Sequence, residues 1–426
     1  MLDLNYLENI IIDQAETFKG KKLGTLRDID FEKYLKTKQI TVISGIRRSG
    51  KSVLLKQFSE YFKSFYYLNF DDERLVDFAV ADFQNLMVAF QKHSNAKVIL
   101  LDEIQNVPKW ERFVRRIFEE GYKIFITGSN AKLLSGELAT HLTGRYLKIE
   151  LYPFSFKEFL AFHNIEAKQQ GGTKKEVKML RYFDQYMIGG GFPEFVKTGD
   201  NEINKQIFED IVYRDLLSRF KIRETKNFKM LVNYLFTNFT SEISYNSLRK
   251  FLAIKSATTV KNYIEFIGES YLAFELFKYD FSLKKQYVSN KKIYVIDNGL
   301  RNAVAFSFSK DNGDMLENMI FLEFKRRGAD IYYYRDKKEC DFVIRKGLKI
   351  AEAIQVSQSL ADPKTEQREI VGLLEAMEKF NLKSGLIITE SQEEERRIGP
   401  ARSATAFADG GKKIKIVPAW KWLLSD

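Results

Sequence analysis

The short apolar, β-branched run Gln39-Ile40-Thr41-Val42-Ile43-Ser44 leads straight into Gly45-Ile46-Arg47-Arg48-Ser49-Gly50-Lys51-Ser52, and Val53-Leu54-Leu55-Lys56-Gln57-Phe58 then sets apolar residues at helical spacing. A strand, a glycine-flanked loop and a helix in that order predict a P-loop, and with it a parallel α/β sheet. The chemistry follows from the backbone. Successive loop N–H groups and the positive end of the helix dipole converge on an anion, while Gly45 and Gly50 let the chain approach it closely. Lys51 can reach the β and γ phosphates of a nucleotide, and the Ser52 hydroxyl is placed for magnesium. The predicted nucleotide-contacting segment therefore runs through Gly45, Ile46, Arg47, Arg48, Ser49, Gly50, Lys51, Ser52 and Val53.

Three further strand candidates, Phe65 to Phe70, Val98 to Leu101 and Lys123 to Thr127, alternate with helical stretches. Such alternation predicts a parallel sheet covered on both faces. Val98-Ile99-Leu100-Leu101 ends in Asp102-Glu103, which puts two carboxylates at the strand's carboxyl end, where parallel sheets bind ligands. Alone, such a pair is an ordinary solvated strand end. Behind a P-loop, Asp102 is expected to hold magnesium through water and Glu103 to act as general base on the attacking water.

The chain has 426 residues and a formal charge of +11. Length predicts several compact units. Much of the charge falls between Arg214 and Arg301, with sixteen Lys/Arg against eight Asp/Glu. Helical runs at Phe228 to Phe239, Tyr245 to Leu252 and Ala257 to Ser270, then strand-like runs around Tyr271 to Phe281 and Lys292 to Ile296, give the order of a winged helix. Its third helix would present Lys255, Ser256, Thr258, Thr259, Lys261 and Asn262, with Lys284, Lys285, Lys291 and Lys292 flanking the hairpin. DNA is the partner this predicts. A solvated basic face, or a module that docks a protein partner, has the same composition. The expected units are a P-loop core at 1–152, a helical lid at 153–225 broken by Gly189 to Pro193, the winged helix at 226–300 and a small α/β domain at 301–426. One cysteine, Cys340, and three histidines exclude a disulfide framework and a structural metal. The longest apolar runs fall far short of about 20 residues, so no membrane is expected and the location is read as cytoplasmic.

Gly-Ile-Arg-Arg-Ser-Gly-Lys-Ser, Leu-Leu-Asp-Glu-Ile-Gln, Ile-Thr-Gly-Ser-Asn and Leu-Thr-Gly-Arg-Tyr together resemble the prokaryotic AAA+-type ATPases that carry a C-terminal restriction-endonuclease-like domain. The resemblance covers nearly the whole chain. It implies ATP as the nucleotide, a water-orienting sensor at Asn130 or Ser129, and an arginine finger at Arg145 acting in cis or from a neighbouring subunit, hence a possible homo-oligomer. GTP is disfavoured, because Asn204-Lys205-Gln206-Ile207 lacks the aspartate of a guanine reader. Glu317, Glu323, Asp341 and the strand Ile354-Gln355-Val356-Ser357 follow the layout of PD-(D/E)xK nucleases, but Gln355 and Ser357 stand where the second acid and the lysine belong. Period-2 alternation turns Glu352 to the other face. The expectation is a domain that lacks a metal ligand and its cation and is kept for docking. Tyr152 to Phe156 and Gly191-Phe192-Pro193-Glu194 also match the family, with a role in the fold only.

Overall fold

The computed structural model describes residues 2–129, 142, 144–166, 173–305, 312–398 and 411–425. It has two compact units, Met1–Phe154 with Glu269–Tyr271, and Ser155–Gly268 with Leu272–Asp426.

The first unit is built on β1 (Ile40–Gly45), β2 (Tyr66–Asn69), β3 (Val98–Asp102), β4 (Lys123–Gly128) and β5 (Tyr146–Leu151), in spatial order β2-β3-β4-β1-β5. All four pairings are parallel. Alternation along each strand sorts side chains between two cores. Ile40, Val42, Ile99, Leu101, Ile124 and Ile126 pack with Leu7, Ile10, Phe83, Phe90 and Trp110. Ile43, Leu100, Phe125, Ile149 and Leu151 pack with Leu54, Leu55 and Phe58 of the helix Lys51–Ser59. Each such side chain contributes about 1.5–3 kcal/mol by leaving water. The helix that carries Lys51 is thus anchored by its own apolar face.

The second unit opens with the helix Phe156–Phe162, capped reciprocally by Ser155 and Glu158. After the helices Thr173–Gly189, Pro193–Thr198 and Asn201–Asp210 come Thr225–Thr237, Tyr245–Phe251 and Ala257–Glu269. A three-stranded antiparallel sheet follows, β6 (Glu242–Ile243), β8 (Lys291–Val295) and β7 (Ala273–Phe277) in that spatial order. Three helices and a hairpin stand in the winged-helix order. The last element is a six-stranded mixed sheet, β13-β14-β12-β11-β10-β9, comprising β9 (Asp330–Arg335), β10 (Glu339–Lys346), β11 (Lys349–Ser357), β12 (Ser384–Thr389), β13 (Glu394–Ile398) and β14 (Lys412–Pro418).

The glycine turn has a definite job in this unit. Asp297 accepts from Gly191 N at 2.7 Å and from Leu300 N at 3.0 Å, and a Cβ on Gly190 would meet its carboxylate at 2.0 Å. A Cβ on Gly299 would lie 1.9 Å from the Gly189 carbonyl oxygen. Asn298 donates to the carbonyls of Met187 at 3.0 Å and Met315 at 2.9 Å. Gly-Gly-Gly-Phe-Pro and Asp-Asn-Gly are therefore two halves of one buried polar clamp. Among the described residues, no helix is long and apolar enough to cross a membrane.

Candidate nucleotide site and a second, acidic pocket

Two left-handed residues curl the P-loop, Arg48 at φ 63° and Gly50 at φ 95°. A Cβ on Gly45 would sit 2.1 Å from the Leu151 carbonyl oxygen, so β5 closes against the loop only because that position is glycine. Lys51 is buried, its Nζ donating to Gly45 O at 3.3 Å and Ile46 O at 3.2 Å, and it lies 3.8 Å from Glu103 Oε1. The Ser49 hydroxyl is buried with no hydrogen-bond partner. An unspent donor inside a loop of this shape fits a phosphate oxygen. Arg47 is half-buried, Arg48 exposed and Ile46 buried.

Asp102 ends β3 almost fully buried. It accepts from Thr127 Oγ1, from Tyr67 OH at 3.3 Å and from the Ser52 hydroxyl. Burial pushes its carboxyl up and the neighbouring Glu103 charge pushes it further, against the bonds from Thr127 and Ser52. A cation beside Ser52 would relieve that cost, so these residues fit magnesium. Glu103 takes a left-handed backbone at φ 51°, its N–H donates to Thr127 Oγ1 at 2.9 Å, and its carboxylate accepts from Gln105 Nε2.

Lys51, Ser52, Asp102 and Glu103 are thus brought together at one sheet edge. Asn130 lies outside the described residues, and Ser129 is buried just after β4. Arg145 needs a correction. Tyr146 pairs with Ile40 in a parallel register, so Arg145 stands at the amino edge of the sheet, one strand length (roughly 17 Å) from the carboxyl edge that carries the P-loop. Its guanidinium lies 3.8 Å from Glu119. That placement puts Arg145 out of reach of the P-loop of its own chain. Two positions were missed. Thr127 ties Asp102 to the Glu103 backbone, and its signal was the Ile-Thr-Gly-Ser motif. Arg27 donates to Ser49 O at 2.9 Å and Tyr152 O at 2.7 Å, bracing the loop from a segment that carries no sequence signature.

A family described as an AAA domain matches residues 37–160, and one described as a Domain of unknown function (DUF8612) matches 180–311. The uncharacterized protein MJ1544 of Methanocaldococcus jannaschii is 39% identical over 446 residues, which is 100% of this chain and 97% of that protein. This chain belongs to the AAA-domain family of that protein. An uncharacterized protein of Haemophilus influenzae is 35% identical over 345 residues, covering 76% of this chain and 82% of its own length. Among solved structures, the Aeropyrum pernix ORC1 protein in complex with DNA aligns at 11% identity and a TM-score of 0.30, over 70% of this chain and 91% of that one. Residues 37–160 thus form an AAA-type P-loop domain.

In the second unit, the residues read as DNA contacts divide. Lys255 and Ser256, just before the helix Ala257–Glu269, and Thr258, Lys261 and Asn262 on it are exposed, Thr259 is half-buried, and Lys284 and Lys285 are exposed. Lys291 and Lys292 are buried, which corrects their reading as phosphate ligands. Lys292 Nζ lies 2.8 Å from Glu317, 2.8 Å from Glu339 and 3.5 Å from Asp341. Burial pulls its ammonium down, yet Glu317, Tyr294, Asp341 and Glu339 outweigh that and hold it well above the ordinary lysine range.

A cavity of about 610 Å³ adjoins this cluster, lined by Glu317, Asp341, Gln355, Ser357, Arg368 and Glu369 among others. Lys292 of β8 thus supplies a cation to this acidic cluster, which corrects the expectation that it holds none. Gln355 accepts from Asp341 N at 3.3 Å and donates to Glu369. Glu323 pairs instead with Arg327 at 2.9 Å, and Glu352 with Lys346 at 2.7 Å. Among the described residues, no three His, Cys, Asp or Glu side chains are arranged to hold a metal ion.

Proposed function

We propose that this protein is an ATPase that binds ATP with magnesium at the P-loop, hydrolyses it, and couples that cycle to DNA bound on the face of Ala257–Glu269. The observation that carries the reading is the convergence at one sheet edge of Lys51, the Asp102–Ser52 pair and Glu103, 3.8 Å from Lys51. Lys51 and the loop N–H groups offset phosphate charge, Ser52 and Asp102 hold magnesium, and Glu103 takes the proton of the attacking water. Magnesium held there by Ser52 and Asp102 would neutralise phosphate charge. Arg145 of a neighbouring subunit is the proposed finger, and Asn130 the proposed sensor. The four units read from sequence, at 1–152, 153–225, 226–300 and 301–426, are the proposed functional division, with the last retained for docking.

A second reading, a nucleotide sensor with slow turnover that docks a protein partner, is favoured by one observation. Both oxygens of Glu103 are engaged, by Gln105 and by Lys51. Phosphate release from Mg-ATP separates the two. Under the first reading Lys51→Ala loses nucleotide affinity and turnover, Glu103→Gln keeps affinity and loses about 100-fold or more in turnover, and duplex DNA raises the wild-type rate. Tight binding with negligible turnover, indifferent to DNA, would establish the second.

A further inference from the structure

Thirteen residues join β7 to β8, Lys278 to Asn290, where a hairpin of this kind commonly needs two to five. The connection is ordered by its own bonds. Tyr279 N donates to Tyr333 O at 2.8 Å and Tyr333 OH to Asn290 O at 2.7 Å, which fix the two ends on β9. Within it, Gln286 Nε2 donates to Asp280 O at 2.6 Å, and Lys291 Nζ reaches the carbonyls of Tyr287 at 2.5 Å and Ser289 at 2.7 Å. Its centre is a short helix, Leu283–Val288.

This pinned segment displays apolar side chains to water. Phe281 is 75% exposed, Leu283 68%, Tyr287 64% and Val288 77%. Phe281 and Tyr287 each have an aromatic neighbour, Phe380 and Phe277, that fixes the ring. Leu283 and Val288 have no such support and flank Lys284 and Lys285, both exposed. Several large apolar side chains exposed on one ordered element mark an interaction site. The only acid in the connection, Asp280, is occupied in accepting from Ser282 N at 2.8 Å.

We propose that this connection is a wedge: Leu283 and Val288, steadied by Phe281 and Tyr287, enter the minor groove of duplex DNA between base steps while Lys284 and Lys285 contact the flanking phosphates. The inference rests on the DNA-binding reading above and adds to it a second contact and a distortion of the duplex. Charge decides the occupant. Apolar tips framed by lysines fit a partner that is anionic outside and apolar within, which a base stack behind its phosphates is. An anionic membrane surface shares that description, but a helix of six residues offers too short an apolar face for stable interfacial binding.

The test uses the full-length protein and a duplex carrying 2-aminopurine at successive steps, with end-labelled FRET for bending. Wild type is expected to raise 2-aminopurine fluorescence at one or two steps and shorten the end-to-end distance. The Leu283→Ser/Val288→Ser variant should still bind, a few-fold more weakly, with both signals lost. Lys284→Gln/Lys285→Gln should lower the slope of log affinity against log salt by about two. Binding by wild type with no unstacking, or signals that survive in the serine variant, would overturn the wedge alone. No binding of DNA by wild type would overturn the DNA reading and the wedge together, and recruitment to anionic vesicles in its place would assign the surface to membrane.

Discussion

Glu103 can act as a base only if its carboxylate is free to meet water, and the structure shows what restrains it. Gln105 donates to one oxygen while Lys51 faces the other. Lys51 has a better partner in a γ phosphate, so the Gln105 bond is the restraint that persists once nucleotide binds. Gln105→Ala is therefore expected to raise basal phosphate release several-fold with nucleotide affinity unchanged; an unaltered or lower rate would mean that the bond orients Glu103 instead. Residues of this kind were partly legible. The Leu-Leu-Asp-Glu-Ile-Gln segment named Asp102 and Glu103 because strand, edge and acid coincide within six residues. Lys292 was misread, since its neighbours in sequence are a basic run and its partners, Glu317, Glu339 and Asp341, are separated from it by 25, 47 and 49 positions. Composition reports what a charge is, and burial decides what it does.

Elements were read more faithfully than the joints between them. Periodicity and β-branched runs located β1 to β4, because each follows from local spacing, but gave no strand at β5, β13 or β14. The clamp between the glycine turn and the start of the helix Asn298–Val304 was out of reach, because Gly191 and Asp297 are 106 positions apart. Its chemistry gives a pH signature. Burial raises the Asp297 carboxyl to about 6 from an ordinary 3.8, against the N–H bonds from Gly191, Leu300 and Gly299. The folded chain thus keeps a proton that the unfolded chain has already lost. This group's contribution to stability is whole below about pH 4 and is lost as pH rises through about 6, by roughly 3 kcal/mol in all. Asp297→Asn should flatten that part of the profile, read as urea midpoints at pH 4.5 and pH 7. A wild-type midpoint that does not fall across that interval would place the carboxyl near its ordinary value.

At the scale of the whole molecule, the chain passes between the two units at Phe154/Ser155, Gly268/Glu269 and Tyr271/Leu272. Glu269–Tyr271 belong to the first unit, while the residues on either side belong to the second. On one side in sequence lies the helix with Lys261 and Asn262, and on the other lies β7. Tyr271 holds this step in place. Its backbone is left-handed at φ 63°, a conformation that costs a non-glycine residue about 1–2 kcal/mol and persists only where contacts enforce it. Its hydroxyl meets Ser44 Oγ at 2.8 Å, one residue before the P-loop, and burial raises its pKa so that it stays a neutral hydrogen-bonding group. A shift of the β1 end during a nucleotide cycle would reach Tyr271, two residues after the helix Ala257–Glu269 ends. Tyr271→Phe keeps the ring and removes the bond. Basal phosphate release should stay within about threefold of wild type while its stimulation by duplex DNA falls toward unity. Full stimulation in the variant would move the coupling elsewhere, and loss of basal turnover as well would make Ser44–Tyr271 part of the P-loop's support.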